Sequence, residues 1–189
     1  MPVSLNYQRG MALLVSLVGM ALLVSLVGMV LLGLIGMAAM VSATQQEKMA
    51  AGVQHANHSF EAAEAALGSG EAWLHSAWAR LLPCASPASC NPPLEARTQA
   101  VAGIDPVSSV LWVSVADGLY GVQNLGPSIT PAHLPATTTT GLYRVTGIGW
   151  HGQSRTVLES IYARYQGSDN TSQASVAPVF QRVMWRQLQ

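Results

Sequence analysis

The fold of this chain is decided by residues 11–41, which read MALLVSLVGMALLVSLVGMVLLGLIGMAAMV. This stretch contains no charged residue and no proline. A helix rises about 1.5 Å per residue, so about 20 apolar residues cross the roughly 30 Å hydrocarbon core of a membrane. The stretch therefore predicts a transmembrane helix at residues 11–41.

The ten residues before this stretch predict its orientation. Their only charged side chain is Arg9, and a basic residue beside the first span favours keeping that end in the cytoplasm. The apolar run is too long for the core of a secretory signal peptide, which is short and precedes a cleavage site. We therefore expect the helix to stay in the mature protein, with everything after Val41 on the far side of the membrane.

An internal repeat lies within the predicted span. Residues 11–19 read MALLVSLVG, and residues 20–28 repeat these nine residues without a change. One copy adds about 13 Å to a helix and about half a turn of rotation. The repeat is typical of a slippage duplication, and the extra length could be taken up by tilt or by contact with neighbouring helices.

Composition limits the classes of function. The chain has 189 residues, a formal net charge of +0 and 10% charged residues, so it has no basic field that would attract nucleic acid directly. Length and pattern indicate one membrane anchor and one globular domain. If that domain is exported, Cys84 and Cys90 can pair. Two cysteines alone make a poor zinc site, so we expect a disulfide.

A second helical pattern follows the span. Apolar residues recur at alternating spacings of four and three, which indicates an amphipathic helix over residues 42–82. This helix, the spine, has its packing positions at Met49, Val53, Phe60, Leu67 and Leu74. The stripe could pack on the chain's own sheet, or its membrane-proximal end could form a seam shared with neighbouring subunits.

Residues 83–189 predict an antiparallel sheet. Residues 83–93 are rich in proline and form a loop that contains both cysteines. Alternating β-branched and aromatic residues predict strands, and polar, proline-rich or threonine-rich stretches predict loops. The strands are expected at residues 109–115, 119–125, 142–150, 155–165 and 178–185, with long loops at 126–140 and 167–175. The fold class is thus α+β, a long helix on an antiparallel sheet, and the loop at 126–140 is the expected partner-contacting segment.

No pattern in the chain indicates catalysis. The sequence has no Gly-x-Ser-x-Gly elbow, no His-Glu-x-x-His helix and no phosphate-binding glycine loop. Its histidines are His55, His58, His75, His133 and His151. His55 and His58 could share a helix face, but without further ligands they are interpreted as polar surface residues. We therefore expect no enzyme activity, no cofactor and no metal site.

Taken together, these segments resemble a type IV pilin-like protein, and in particular the PilX-type minor pilins of Gram-negative type IV pili. The resemblance covers most of the chain. The residues that carry it are Arg9-Gly10, Glu47-Lys48-Met49-Ala50-Ala51, Phe60-Glu61-Ala62-Ala63-Glu64-Ala65-Ala66-Leu67, Gly70-Glu71, Tyr143-Arg144-Val145-Thr146 and Trp185-Arg186.

The resemblance implies how the chain is processed and where it lies. A prepilin peptidase would cut after Gly10, removing a leader at residues 1–10, and would methylate the new N-terminus at Met11. The protein would be a single-pass inner-membrane protein with a periplasmic domain at residues 83–189, and after assembly it would lie in the pilus, at its tip. Residue five of a mature major pilin is glutamate, whereas this chain has Val15.

The resemblance also implies a function and partners. Such a subunit helps prime pilus assembly as part of a tip complex with other minor pilins and a large tip adhesin, next to the major pilin. Adhesion, twitching motility or DNA uptake could be the trait it supports. Two alternatives remain, a minor pseudopilin of a type II secretion system and a plain signal-anchored periplasmic protein. Minor pseudopilins located at the tip tend to carry calcium sites. This chain has no Asp-x-Asp cluster that would supply the ligands of such a site.

Overall fold

The computed structural model describes residues 4–129, 139–166 and 178–188. Contacts divide the chain into two units, residues 1–51 and residues 52–189. The expected loop at 167–175 and most of the expected loop at 126–140 lie outside the described residues. The helical elements are α1 (Ser4–Ala77), a 3-10 turn (Trp78–Arg80), α2 (Pro87–Cys90) and a second 3-10 turn (Leu94–Arg97).

Six strands form one antiparallel sheet in the second unit. They are β1 (Gly103–Ile104), β2 (Leu111–Val115), β3 (Gly118–Ser128), β4 (Thr140–His151), β5 (Ser154–Gln166) and β6 (Pro178–Gln187). Each strand pairs with the next in sequence, so the order is β1-β2-β3-β4-β5-β6. The predicted α+β arrangement, with a long helix and an antiparallel meander, is confirmed.

Most strand ends differ from the expected ones by one or two residues, and two larger differences stand out. The two-residue β1 was not predicted, because so short a strand has no alternating pattern. β3 continues past the expected end at residue 125 to Ser128, and its pairing with β4 shifts register between Asn124 and Gly126. Gly126 has φ +90° there, a conformation that glycine adopts at little cost. The bulge lets the strand continue where the sequence pattern indicated a loop.

The spine helix ends earlier than residue 82. α1 stops at Ala77, and after the 3-10 turn Leu81 is extended. The carbonyl of Leu81 accepts a hydrogen bond from Asn124 Nδ2 at 2.8 Å, and the Cys84 amide donates to the Asn124 carbonyl at 2.8 Å. These two bonds draw the chain along the start of the bulge in β3. The helical pattern at Leu81 is therefore overridden by contact with the sheet.

Within the second unit, α1 lies unusually close to β4. A Cβ atom placed on Gly147 would lie 2.6 Å from the carbonyl oxygen of Ala63, and one on Gly149 would lie 2.2 Å from the Ala63 amide nitrogen. Facing them, Ser59 and Ala63 are small and fully buried. Two glycines, separated by one residue on the same face of β4, thus leave room for the helix backbone itself.

The sheet has an apolar core on each face. On the helix side the buried cluster includes Leu67, Leu74, Tyr120, Val145 and Leu158. On the other side, Ala96 of the second 3-10 turn covers Trp112, Leu119, Ile148 and Val157. The segment between α1 and β1, which contains the two cysteines, therefore serves as the cover for the second face.

The close helix–sheet contact predicts a steep cost for a side chain on β4. Overpacking a core costs about 1–3 kcal/mol and sometimes more, and in Gly149→Val the obstructing atoms are backbone, so we expect a loss of about 3 kcal/mol or more. The control is Gly68→Ala on α1, where a Cβ meets no atom within 4 Å and should stabilise the helix by about 0.5–1 kcal/mol.

The measurement is denaturant unfolding of the detergent-solubilised full chain, followed by tryptophan fluorescence. A Gly149→Val variant as stable as the Gly68→Ala control would show that the close contact does not contribute to folding.

Candidate functional site

The first part of α1 is an exposed apolar surface. Every large hydrophobic side chain with described burial between Met11 and Val41 is at least half exposed, from 50% at Val27 to 75% at Met29. Within the described residues, α1 is the one helix whose length and composition would let it cross a membrane. The surface is thus available to lipid or to other apolar helices.

The five predicted packing positions of the spine fall into two groups. Leu67 and Leu74 lie in the core on the helix face of the sheet, and Phe60 packs partly buried at its edge. Met49 and Val53 are exposed, at 65% and 61%. Among the side chains of α1 that the structure describes, the first buried one is that of Ser59. Within the second unit, the stripe therefore contacts the sheet only in its later part, at Phe60, Leu67 and Leu74.

A polar cluster joins the later part of α1 to the last two strands. The Tyr162 hydroxyl donates a hydrogen bond to Glu71 and accepts one from Arg182 Nε at 2.9 Å, and Arg182 Nη2 lies 3.0 Å from Glu71 Oε1. Burial and the neighbouring Glu71 carboxylate raise the pKa of Tyr162 to about 12. The hydroxyl therefore remains a donor at physiological pH, and β5 and β6 are both tied to the helix.

The predicted disulfide is present between Cys84 and Cys90. Side chains of the sheet bind the carbonyl groups of this loop. Gln123 Nε2 donates to the Ser89 carbonyl at 2.7 Å, and Arg144 Nη1 donates to the Cys90 carbonyl at 2.8 Å. The loop is thus closed covalently at its base and is anchored on β3 and β4 by hydrogen bonds.

Arg144 also connects the loop to a buried charge. Its Nε lies 3.2 Å from Oε2 of Glu159, a fully buried carboxylate, and Arg186 Nη2 lies 2.9 Å from the other oxygen, Oε1. The 3.2 Å approach is a charge contact that lacks hydrogen-bond geometry. Burial lowers the pKa of the Arg144 guanidinium, and the Glu159 carboxylate opposes that effect. An arginine is still protonated near neutral pH, so Glu159 lies between two cations.

Two histidines of α1 lie next to a histidine of β4. The rings of His55 and His58 lie 5.1 Å and 4.8 Å from the ring of His151 at the end of β4, and His58 Nδ1 lies 3.4 Å from Glu61. The three rings are exposed, as predicted for His55 and His58. Among the residues that the structure describes, no group of three ligand side chains is arranged to hold a metal. His133 lies outside those residues.

Two features of the second unit were missed by sequence reasoning. The Arg144–Glu159 pair lies on two different strands, and no local spacing connects them. Gly147 and Gly149 were included in a predicted strand without a role. A signal was present for the glycines, because two of them at alternate positions in one strand indicate close approach of another backbone on one face.

Comparison with known proteins agrees with the first part of this structure. Residues 9–67 match the family model described as PilX N-terminal. This match supports a PilX-type minor pilin of the type IV pilus. The matched residues lie within α1 and end where the helix is buried against the sheet. No curated protein and no solved structure matches the chain.

The matched family is consistent with the exposed apolar surface of this chain. Its members are structural pilins and not a known enzyme family, and association with other pilus components is expected of them. A pilin with an N-terminal apolar helix also fits membrane anchoring and a location in a pilus. In this structure Gly10 and Met11 lie inside α1, and Val15 is 70% exposed.

The buried charges predict an unequal response to single and double substitutions. Arg144→Met should destabilise the protein by about 3 kcal/mol, because it leaves the Glu159 carboxylate buried beside one half-exposed arginine. Arg144→Met combined with Glu159→Leu should restore most of that stability, because apolar residues of similar volume replace a buried ion pair at little cost.

Unfolding in denaturant of the full chain in detergent measures both effects. The single variants Arg144→Met and Glu159→Leu are compared with the double variant. A double variant whose loss of stability equals the sum of the two single losses would contradict this assignment of the buried pair.

Proposed function

We propose that this chain is a minor pilin that helps prime type IV pilus assembly and forms part of a tip complex. Its partners in that complex are other minor pilins and a large tip adhesin, and the complex lies next to the major pilin. The observation that carries the proposal is that the apolar residues of the first unit are exposed and that, within the second unit, the first buried residue of α1 is Ser59. The exposed apolar residues before it need a bilayer, and then partner helices, to remove them from water.

The exposed stripe supports a shared seam beyond the apolar span. Met49 and Val53 follow the same 4,3 spacing as the buried Leu67 and Leu74. A stripe with this spacing is typical of a surface that packs against another helix. The helices of neighbouring subunits are the partners that match its length and apolar character.

The N-terminal residues support processing by a prepilin peptidase. Arg9-Gly10 directly precedes the apolar run. Cleavage after Gly10 and methylation at Met11 would produce the mature subunit. Before assembly the protein would be a single-pass inner-membrane protein with its C-terminal domain in the periplasm. After assembly it would lie at or near the pilus tip.

Val15 supports a position at the end of the filament. At this place a glutamate would pair with the N-terminal ammonium of an adjoining subunit, and a carboxylate left unpaired in the bilayer would be costly. Valine removes the pair and its cost together. A subunit without that carboxylate cannot form this pair with an adjoining subunit in the body of the filament. It fits better in a complex that begins the filament.

Deletion of the gene in the bacterium that makes the protein tests this function. We expect few or no surface pili although the major pilin remains in the membrane. Wild type should restore pili, and so should Val101→Asp, which changes an exposed residue outside α1. Val53→Asp should restore fewer, because its carboxylate would be buried in the seam without a partner.

The readouts are pilus counts by electron microscopy and detection of the protein in sheared pili. A deletion strain with a wild-type number of pili would contradict the priming role. If Val53→Asp and Val101→Asp restored pili equally, the shared seam would be contradicted, but the priming role would not.

A further inference from the structure

The nonapeptide repeat duplicates more than apolar length. Gly10 is followed by Met-Ala-Leu-Leu-Val-Ser-Leu-Val-Gly, and Gly19 is followed by the same nine residues. The bond Gly19–Met20 therefore has the same glycine before it and the same downstream sequence as Gly10–Met11. A protease that recognises the glycine and the residues after it would meet two equivalent bonds.

The length of the apolar run favours the second bond. A helix over residues 11–41 is about 46 Å long at ~1.5 Å per residue, whereas the hydrocarbon core is about 30 Å thick. Tilt alone would have to reach about 50°, beyond the roughly 0–40° range of membrane helices. Residues 20–41 form a helix of about 33 Å, which matches the membrane with little tilt.

This match also positions the second bond. If residues 20–41 fill the hydrocarbon core, the Gly19–Met20 bond lies at the cytoplasmic surface of the membrane and the first copy of the repeat projects beyond it. If residues 11–31 fill the core, the Gly10–Met11 bond takes that place. The repeat thus offers two positions of the same helix, and each puts a Gly–Met bond at the same surface.

None of the atoms that the structure describes outside the helix's own backbone lies against the second bond. A Cβ on Gly19 would meet no atom within 4 Å, and the flanking Val18 and Met20 are 58% and 68% exposed. Both bonds lie in the helix, so a protease must unwind the chain locally before cutting. Glycine inside a helix costs about 0.5–1 kcal/mol relative to alanine, which makes this unwinding easier at Gly19 than at an average position of the span.

We propose that Gly19–Met20 is a second processing site for the peptidase that cuts after Gly10. This inference rests on the proposed function, because it assigns a second substrate bond to the same enzyme. The step is a peptide hydrolysis in which one water is consumed. Gly19 takes a carboxylate, Met20 takes the new amine, and the mature chain begins at Met20 with an apolar span of membrane length.

The two products start with the same residues. Both begin Met-Ala-Leu-Leu-Val-Ser-Leu-Val-Gly-Met and differ first at the eleventh position, which is Ala21 after the first cut and Val30 after the second. Ten cycles of N-terminal sequencing would therefore give the same result for both products. Intact mass separates them by one nonapeptide.

Intact-mass measurement of the membrane-extracted full chain, from cells with and without the prepilin peptidase, tests the proposal. The variants are Gly10→Leu, which blocks the first bond, Gly19→Leu, which blocks the second, and Gly28→Leu as the matched control. Gly28 also precedes a methionine, but Val30 then stands where the two repeated bonds have alanine.

With the peptidase, we expect a species beginning at Met20 in wild type, in Gly10→Leu and in Gly28→Leu, and its loss in Gly19→Leu. Wild-type chains that all begin at Met11, with no processing of Gly10→Leu, would overturn the second site and leave the proposed function intact. Wild-type chains that begin at Met1 in both strains would contradict the proposed function itself.

Discussion

The second unit depends on how closely α1 approaches β4. The backbone of the helix at Ser59 and Ala63 occupies the space that side chains at positions 147 and 149 would fill. Packing density in a protein interior leaves no slack for an added methyl group at such a contact. This approach sets the depth at which Leu67 and Leu74 enter the core. The later part of α1 therefore belongs to the core of the second unit. Only the earlier, exposed part of the helix is available as a membrane anchor.

The far face of the sheet is organised by charge as well as by apolar contacts. Arg144 connects Glu159 to the cysteine loop through the Cys90 carbonyl, and Gln123 binds the same loop through Ser89. A short loop with a disulfide would otherwise be fixed only at its two cysteines. Because its carbonyl groups bind side chains of the sheet, the loop and the segment that follows it form a defined cover. Both faces of the sheet are thus occupied by parts of the same chain.

Much of the fold could be predicted from the sequence, because it follows from local patterns. The uninterrupted apolar run indicated the first part of α1, and alternation in residues 142–150 and 155–165 indicated the β4–β5 hairpin. The end of the spine was wrong by several residues, because bonds from Asn124 to Leu81 and Cys84 depend on tertiary contact. The continuation of β3 through Gly126 also escaped prediction, since a bulge resembles a turn in sequence.

The candidate site was predictable in part for a similar reason. The 4,3 stripe indicated one continuous packing surface, but spacing alone did not indicate where the chain's own sheet stops covering it. The structure divides the stripe, with Leu67 and Leu74 buried and Met49 and Val53 exposed. The buried pair of Arg144 and Glu159 has no local signal, because its members are brought together by strand pairing.

Thiol accessibility at position 49 tests most directly whether partner helices cover the exposed part of α1. In a Met49→Cys variant the new thiol is the one free cysteine, because Cys84 and Cys90 are paired. We predict that a membrane-impermeant maleimide, admitted to the periplasm, labels it in cells lacking the other pilins, and that labelling falls in cells with the full set. Equal labelling in both would contradict the account, as would a thiol protected even in the isolated subunit.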